Sequence, residues 1–175
     1  MARTIGVLKE TFPGERCVAI VPRSVEVLKK IDMTVVVEPS AGEAAGYTDD
    51  QYTARGATLS SRDEIFAQAD IVAQFRSLGA NPVAGRADLG QFRKGQIVLG
   101  LGEPLTALEE GQALAVTGVS FFAMELIPRT TRAQSMDVLS SLATISGYEA
   151  VLLGATSLPK LFPMLMTAEI GRAHV

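Results

Sequence analysis

The sequence predicts an α/β protein: a Rossmann-like, doubly wound parallel sheet in the N-terminal part, followed by a long connecting helix. Short runs rich in Val and Ile alternate with stretches of helical spacing, which is the pattern of strands joined by crossover helices. Strands of a parallel sheet are buried on both faces and therefore form continuous apolar runs. The chain has 175 residues, 47% of them hydrophobic and 20% charged, which is typical of one globular domain.

Five strands are predicted along the chain. They cover Thr4–Leu8, Thr34–Glu38, Ile71–Phe75, Gln96–Leu101 and Val116–Phe122. Helices are predicted between the first three strands, because each candidate begins with a residue that favours a helix start, either Pro in the first turn or an Asp or Ser cap. These helices cover Pro22–Ile31, Asp49–Arg55 and Ser61–Ala67.

Glycine and proline clusters predict loops at Pro39–Gly46, Gly79–Gly85 and Gly100–Pro104. The segment Ser77–Gly90 is poor in large apolar residues, so we expect a mobile surface loop there. A dinucleotide-binding fold holds pyrophosphate with a G-x-G-x-x-G turn. Here only a G-x-G is found, followed by Glu103, whose carboxylate would repel a pyrophosphate. We therefore expect an ordinary turn at this place.

One long helix is expected from Thr131 to about Leu153, because no Pro interrupts this stretch. Thr131 and Gln134 have the spacing of a capping box. Polar residues would then share one helix face: Gln134, Asp137, Ser140, Ser141 and Thr144. With Arg129 just before it, such a face suits a hydrogen-bonding ligand such as a carboxamide. The alternative is a face that meets only water.

Composition excludes several classes of function. A net charge of -3 and a pI near 5.2 leave no basic surface for nucleic acid or an anionic membrane. We see no apolar run of about 20 residues and no signal or transit segment, so we expect a cytoplasmic protein. Cys17 is the only cysteine, so no disulfide forms within the chain, and we expect a buried, inert thiol.

The run Pro128–Ser141, which reads P-R-x-x-R-A-Q-S-M-D-x-L-S-S, resembles a signature of the NAD(H)-binding alpha subunit of proton-translocating NAD(P) transhydrogenase. Other stretches of the chain resemble the same family. They are IGVLKETFPGERCVAIVP near the amino end, Glu38–Gly46, GLGEPLT and LPKLFPMLMTA. The resemblance covers nearly the whole chain up to Ala168.

The resemblance implies that Arg129, Gln134, Asp137 and Ser140 contact NAD(H), with Gln134 and Asp137 near the nicotinamide carboxamide as the catalytic positions. In this family hydride passes directly from NAD(H) to NADP(H) on a partner component, and a membrane component couples the exchange to proton movement. Such a transfer needs no acid or base at the reacting carbon, so catalysis reduces to positioning the two rings. No metal site is implied. A homodimer at the inner face of the bacterial plasma membrane, held there by partner subunits, is implied.

Two other functions stay open. Alanine dehydrogenase shares the fold, but where it resembles this chain its substrate-binding Arg falls on Cys17, its Lys on Gln74 and its catalytic His on or near Glu103. A keto-acid site needs such cationic and acid/base groups, which are missing here. Arg16 is next to Cys17, but neighbouring residues of a strand point to opposite faces. The other alternative is a non-catalytic interaction module in which the long helix forms a dimer contact.

Three segments are predicted: 1–128, an N-terminal subdomain of the alanine dehydrogenase and transhydrogenase type; 129–168, the nicotinamide-contacting loop and interdomain helix; and 169–175, reading EIGRAHV. The last matches a translated sequencing adapter and contains His174, the only histidine, so we expect a read-through artefact. The family's nucleotide fingerprint lies beyond Ala168. We therefore expect a fragment that lacks the main NAD-binding domain, is inactive alone, and self-associates through apolar residues left exposed in the long helix and in Leu158–Met166.

Overall fold

The computed structural model describes residues 3–158. It contains one sheet of six parallel strands in the order β3-β2-β1-β4-β5-β6. The strands are β1 Arg3–Val7, β2 Met33–Val37, β3 Thr58–Leu59, β4 Ile71–Arg76, β5 Ile97–Leu101 and β6 Ser120–Ala123. This is the strand order of a doubly wound Rossmann sheet, so the predicted fold class is confirmed. The two-residue edge strand β3 was not predicted.

Within residues 3–158, five α-helices accompany the sheet. They are α1 Pro22–Lys29, α2 Asp49–Thr53, α3 Arg62–Gln68, α4 Leu108–Thr117 and α5 Val138–Ser157. The three helices predicted near the amino end are present, with ends shifted by one or two residues. The prediction of a strand beginning at Val116 was wrong, because α4 continues to Thr117 and ends at Gly118. Gly118 has φ +77°, a left-handed conformation that ends a helix at little cost in glycine.

Both faces of the sheet are covered by helices, as shown by the side chains of β2, which point alternately to the two faces. Val35 and Val37 face a core that includes Val25 of α1 and Tyr52 of α2. Val36 points the other way, into a second core with Ile65 and Phe66 of α3. Successive strand residues point to opposite faces, so a short apolar run serves two helix layers at once.

The segment Ser77–Gly90, for which a mobile surface loop was predicted, is partly buried, although Val83 within it is 87% exposed. It forms 3-10 turns at Leu78–Ala80 and Ala84–Gln91, and Ser77, Asn81 and Asp88 are buried. Besides the buried Leu78, polar partners hold it: Ser77 Oγ donates to the carbonyl of Leu101 (2.8 Å), and Asn81 Nδ2 donates to Thr11 Oγ1 (2.8 Å). Composition alone cannot reveal such pairs.

By its internal contacts the chain forms two compact units, which divide between Ile127 and Pro128. In the second unit, a 3-10 turn at Gln134–Met136 precedes α5. The predicted helix start at Thr131 was wrong, because α5 begins at Val138 with Asp137 as its cap. An Asp side chain bonds nearby backbone N–H groups better outside a helix than within one, which favours this later start.

The helix α5 presents large apolar side chains to solvent. They are Leu139, Ile145, Tyr148, Val151, Leu152 and Leu153, each more than 40% exposed. An 18-residue window of α5 has mean hydropathy 1.4, and the 20-residue helix is long enough to cross a membrane, which corrects the expectation that no apolar run reaches that length. One such helix is weak evidence of a span. The apolar segment predicted up to Met166, the predicted artefact 169–175 and His174 lie outside the described residues.

Candidate functional site

The second unit places a cation, a carboxylate and a hydroxyl together at the start of α5. Asp137 Oδ1 accepts the backbone N–H of Ser140 (3.0 Å), and Asp137 Oδ2 accepts the Ser140 hydroxyl (2.7 Å). Arg129 donates from Nη2 to Ser140 Oγ (3.0 Å) and from Nε to Asp137 Oδ2 (3.4 Å). Three of the four predicted cofactor-binding residues therefore form one bonded cluster.

The two charged groups of the cluster differ in their exposure to solvent. The Asp137 side chain is only 8% exposed, whereas that of Arg129 is 67% exposed. Bonds from the backbone N–H and the hydroxyl of Ser140, together with the nearby guanidinium, lower the pKa of Asp137 from its usual value. Asp137 thus stays ionised and holds Arg129, whose charge remains available to a ligand.

The remaining polar residues of the predicted helix face behave differently. Gln134 lies in the 3-10 turn before the cap with an exposed side chain, so its role stays a prediction. Ser141 Oγ donates to the carbonyl of Asp137 (3.3 Å) and Thr144 Oγ1 to that of Ser140 (2.9 Å). Hydroxyl protons that bond back to their own helix are not free to donate to a ligand. The predicted face of five polar residues on one helix was therefore wrong.

In the first unit, a side chain of the protein itself occupies the switch point of the sheet, between the carboxyl ends of β1 and β4, where Rossmann folds bind ligands. Glu10 accepts the backbone N–H groups of Phe75 (2.6 Å) and Arg76 (3.0 Å). Burial raises the pKa of Glu10, and these two bonds oppose the rise. A neighbouring pocket of about 180 Å³ is lined partly by Lys9, Glu43 and Cys17.

Cys17 lies beside an ion pair and not in a strand. The expectation that Arg16 and Cys17 point to opposite faces of a strand was therefore wrong. Glu15 Oε2 accepts from Arg76 Nε (2.6 Å), and Glu15 Oε1 accepts the backbone N–H groups of Arg16 and Cys17, each at 2.9 Å. Burial would raise the pKa of Glu15, but these bonds lower it to about 2. Cys17 is exposed, contrary to prediction. Partial desolvation of its thiol, together with a bond to Glu15, raises the thiol pKa to about 11.

The other two positions compared with alanine dehydrogenase are also tied to protein groups. Gln74 is buried, and its Nε2 donates to Asp88 Oδ2 (3.2 Å). The backbone N–H of Glu103 donates to Glu125 Oε1 (2.5 Å). At these three positions the chain thus offers a thiol, an amide and a carboxylate, none of them a cationic clamp for a keto acid.

Two features were missed at the sequence level. Arg62 makes a bidentate bond to Asp88 (2.9 and 2.6 Å) and a third bond to Glu38 (2.8 Å). The second is the bond from Glu125 to the loop after β5. In both cases the bonded residues are 22 or more positions apart, so no local sequence pattern predicts the contact. Within the described residues, no group of three His, Cys, Asp or Glu side chains could hold a metal ion.

The strand order defines a Rossmann-like α/β domain. It is followed by a polar segment, residues 128–141, which leads into the capped start of α5 and which we call the arm. The family described as alanine dehydrogenase/PNT, N-terminal domain, matches residues 6–146. The chain belongs to this family.

Relatives within the family include transhydrogenases and alanine dehydrogenases. The chain is 40% identical over 166 residues to an NAD(P) transhydrogenase alpha subunit of Rhodospirillum rubrum, covering 94% of this chain and 43% of the relative. The predicted resemblance to the transhydrogenase alpha subunit is thereby confirmed. The chain spans less than half the length of the curated relatives it matches most strongly.

Solved structures agree with this placement. The transhydrogenase from Sinorhizobium meliloti superposes with a TM-score of 0.81 at 36% identity, over 88% of this chain and 44% of that one. An L-alanine dehydrogenase superposes with a TM-score of 0.79 at 27% identity, over 90% of this chain and 42% of that one. The fold is therefore common to both activities, and the site residues must distinguish them.

Proposed function

We propose that this chain is the N-terminal part of the NAD(H)-binding component of a proton-translocating NAD(P) transhydrogenase, and that its arm contacts the nicotinamide end of NAD(H). The observation that carries the proposal is the bonded cluster of Arg129, Asp137 and Ser140. The 40% identity to a transhydrogenase alpha subunit, against 26% to an alanine dehydrogenase, supports it.

The residues of the arm fit the chemistry of a nicotinamide nucleotide. A carboxamide needs both donors and acceptors, which the exposed side-chain amide of Gln134 supplies, and Arg129 offers an exposed cation for a phosphate or amide oxygen. The Ser140 hydroxyl, bonded to Asp137 and Arg129, orients the guanidinium. The Asp137 carboxylate holds the Arg129 side chain, so less side-chain entropy is lost when a ligand binds. Gln134 and Asp137 remain the proposed catalytic positions.

The proposed role of the arm is positioning. When bound, NAD(H) supplies the hydride chemistry, and hydride transfer between two nicotinamides needs close alignment of the rings. The arm holds one ring through Arg129, Gln134, Asp137 and Ser140. On this proposal NADP(H) is bound by a partner component, so the chain assayed by itself is expected to bind NAD(H) without turnover.

The proposal extends to the assembly. Relatives are named as subunits, which implies other subunits, and we propose the transhydrogenase membrane and NADP(H)-binding components as partners. A homodimer and a location at the inner face of the bacterial plasma membrane are proposed with them. The exposed apolar side chains of α5 offer a surface for such contacts.

Titration with NADH tests the proposal. Replacing the exposed arginine of the cluster, Arg129→Ala, should weaken NADH binding about tenfold or more, because a charge-assisted contact is lost. The matched control is Arg23→Ala, which removes an exposed arginine from α1 and should leave the affinity unchanged. Fluorescence of the bound nicotinamide measures both.

Other outcomes would favour the alternatives. NADH oxidation that depends on pyruvate and ammonia would favour an alanine dehydrogenase. A stable dimer that binds no nucleotide would favour a non-catalytic interaction module. Equal NADH affinity in wild type and Arg129→Ala would show that the arm does not contribute to the nucleotide site.

A further inference from the structure

The carboxylate of Glu125 ties the last turn before the arm to the loop that follows β5. Its Oε1 accepts the backbone N–H groups of both Gly102 (2.7 Å) and Glu103 (2.5 Å). Its Oε2 is buried and has no hydrogen-bond partner within residues 3–158. Backbone donors and not other side chains therefore hold this carboxylate.

The backbone of the loop is shaped to receive an anionic oxygen. Glu103 has φ +46°, in the left-handed region that residues other than glycine seldom adopt. This conformation lets successive N–H groups converge, as in the backbone nests that bind anions. We call the N–H groups of Gly102 and Glu103 the nest.

Close packing fixes the nest in place. A Cβ added at Gly79 would lie 1.7 Å from the carbonyl oxygen of Gly102, and one added at Gly102 would lie 2.4 Å from the ring of Phe121. The nest is thus wedged between the 3-10 turn Leu78–Ala80 and β6. A carboxylate bound there is held to a rigid support.

We propose that Glu125 is a positioning residue for the arm. It lies in the 3-10 turn Met124–Leu126, and the arm begins at Pro128, so the bond to the nest fixes the point from which the arm starts. A binding group must be held to within a fraction of an ångström to be effective, which requires such support behind it. The effect on nucleotide affinity rests on the proposed function, whereas the effect on the turn does not.

Two variants distinguish the effect of the length of the Glu125 side chain from the effect of its charge. Glu125→Asp keeps the charge but shortens the side chain by one methylene, which withdraws it from the nest. Glu125→Gln keeps an oxygen at the same reach and removes the charge. The matched control is Glu109→Asp, at an exposed glutamate of α4.

Amide hydrogen exchange and NADH titration are the two measurements. In Glu125→Asp, exchange at Gly102, Glu103 and Ile127 should accelerate about tenfold, and NADH affinity should fall about fivefold, as expected for the loss of one or two hydrogen bonds. Glu125→Gln should change both by less than Glu125→Asp does, because its neutral oxygen still reaches the nest, although the charge assistance is lost. Glu109→Asp should change neither.

Two results would overturn the proposal: wild-type exchange at Ile127 in Glu125→Asp, or equal losses of NADH affinity in Glu125→Asp and Glu125→Gln. Equal loss of thermal stability in both, with the larger loss of affinity in Glu125→Asp, supports positioning over a purely structural role. If the wild type itself binds no NADH, the proposed function fails, and exchange at Ile127 alone decides the role of Glu125.

Discussion

At the scale of single residues, one carboxylate performs two tasks at the start of the arm. Asp137 caps α5 through the N–H of Ser140 and also holds the guanidinium of Arg129. The resemblance to a family points to both residues, but helical periodicity placed Asp137 inside a helix. The error arose because a periodic pattern does not show which of several Thr, Ser or Asp residues caps the helix.

Cys17 provides a prediction at this scale. Partial desolvation and the neighbouring Glu15 raise the pKa of this thiol to about 11, so the thiolate fraction at pH 8 is small. We expect alkylation at pH 8 to be about ten- to a hundredfold slower than for a model thiol, with a rate that still rises above pH 10. Iodoacetamide labelling against pH measures this.

Glu15→Gln is the matched variant, since it removes the charge that opposes the thiolate while preserving side-chain size. Alkylation at pH 8 should then become faster. A thiol that reacts at the rate of a model thiol in the unaltered protein would contradict the assignment.

At the scale of elements, the sequence identified strands and helices where an apolar run coincides with a clear start signal. All five predicted strand regions contain a strand, and the capping residue Ser61 introduces α3 as expected. It missed α4, in which Gly111 weakens the helical signal and Val116 mimics the start of a strand. It also did not reveal that Ser77–Gly90 is partly buried, because long-range polar pairs leave no local pattern.

Two glycines provide the prediction for this scale. Gly79→Ala should destabilise the protein by about 3 kcal/mol, because the new methyl group would meet the carbonyl oxygen of Gly102 at 1.7 Å and the backbone must move. Gly111→Ala is the control: nothing lies within 4 Å and the residue is helical, so stability should stay equal or rise by up to about 1 kcal/mol. Urea unfolding measures both, and equal midpoints would contradict the packing of this loop.

At the scale of the whole molecule, the first unit has the architecture of a nucleotide-binding fold without its usual site. Glu10 occupies the switch point between β1 and β4, and the G-x-G turn lacks the phosphate-binding fingerprint. The second unit carries the cluster that we propose contacts the nicotinamide. Fold alone would have placed a ligand at the sheet, whereas the residues favour the arm.

Whether NAD(H) contacts the arm can be decided by mapping backbone amide shifts by NMR during an NADH titration. We expect shifts concentrated in residues 129–140, with Arg129 and Ser140 among the largest, and little change at Glu10 or Arg76. Shifts centred on the carboxyl ends of β1 and β4, or no shifts at saturating NADH, would show that the arm is not the nicotinamide site.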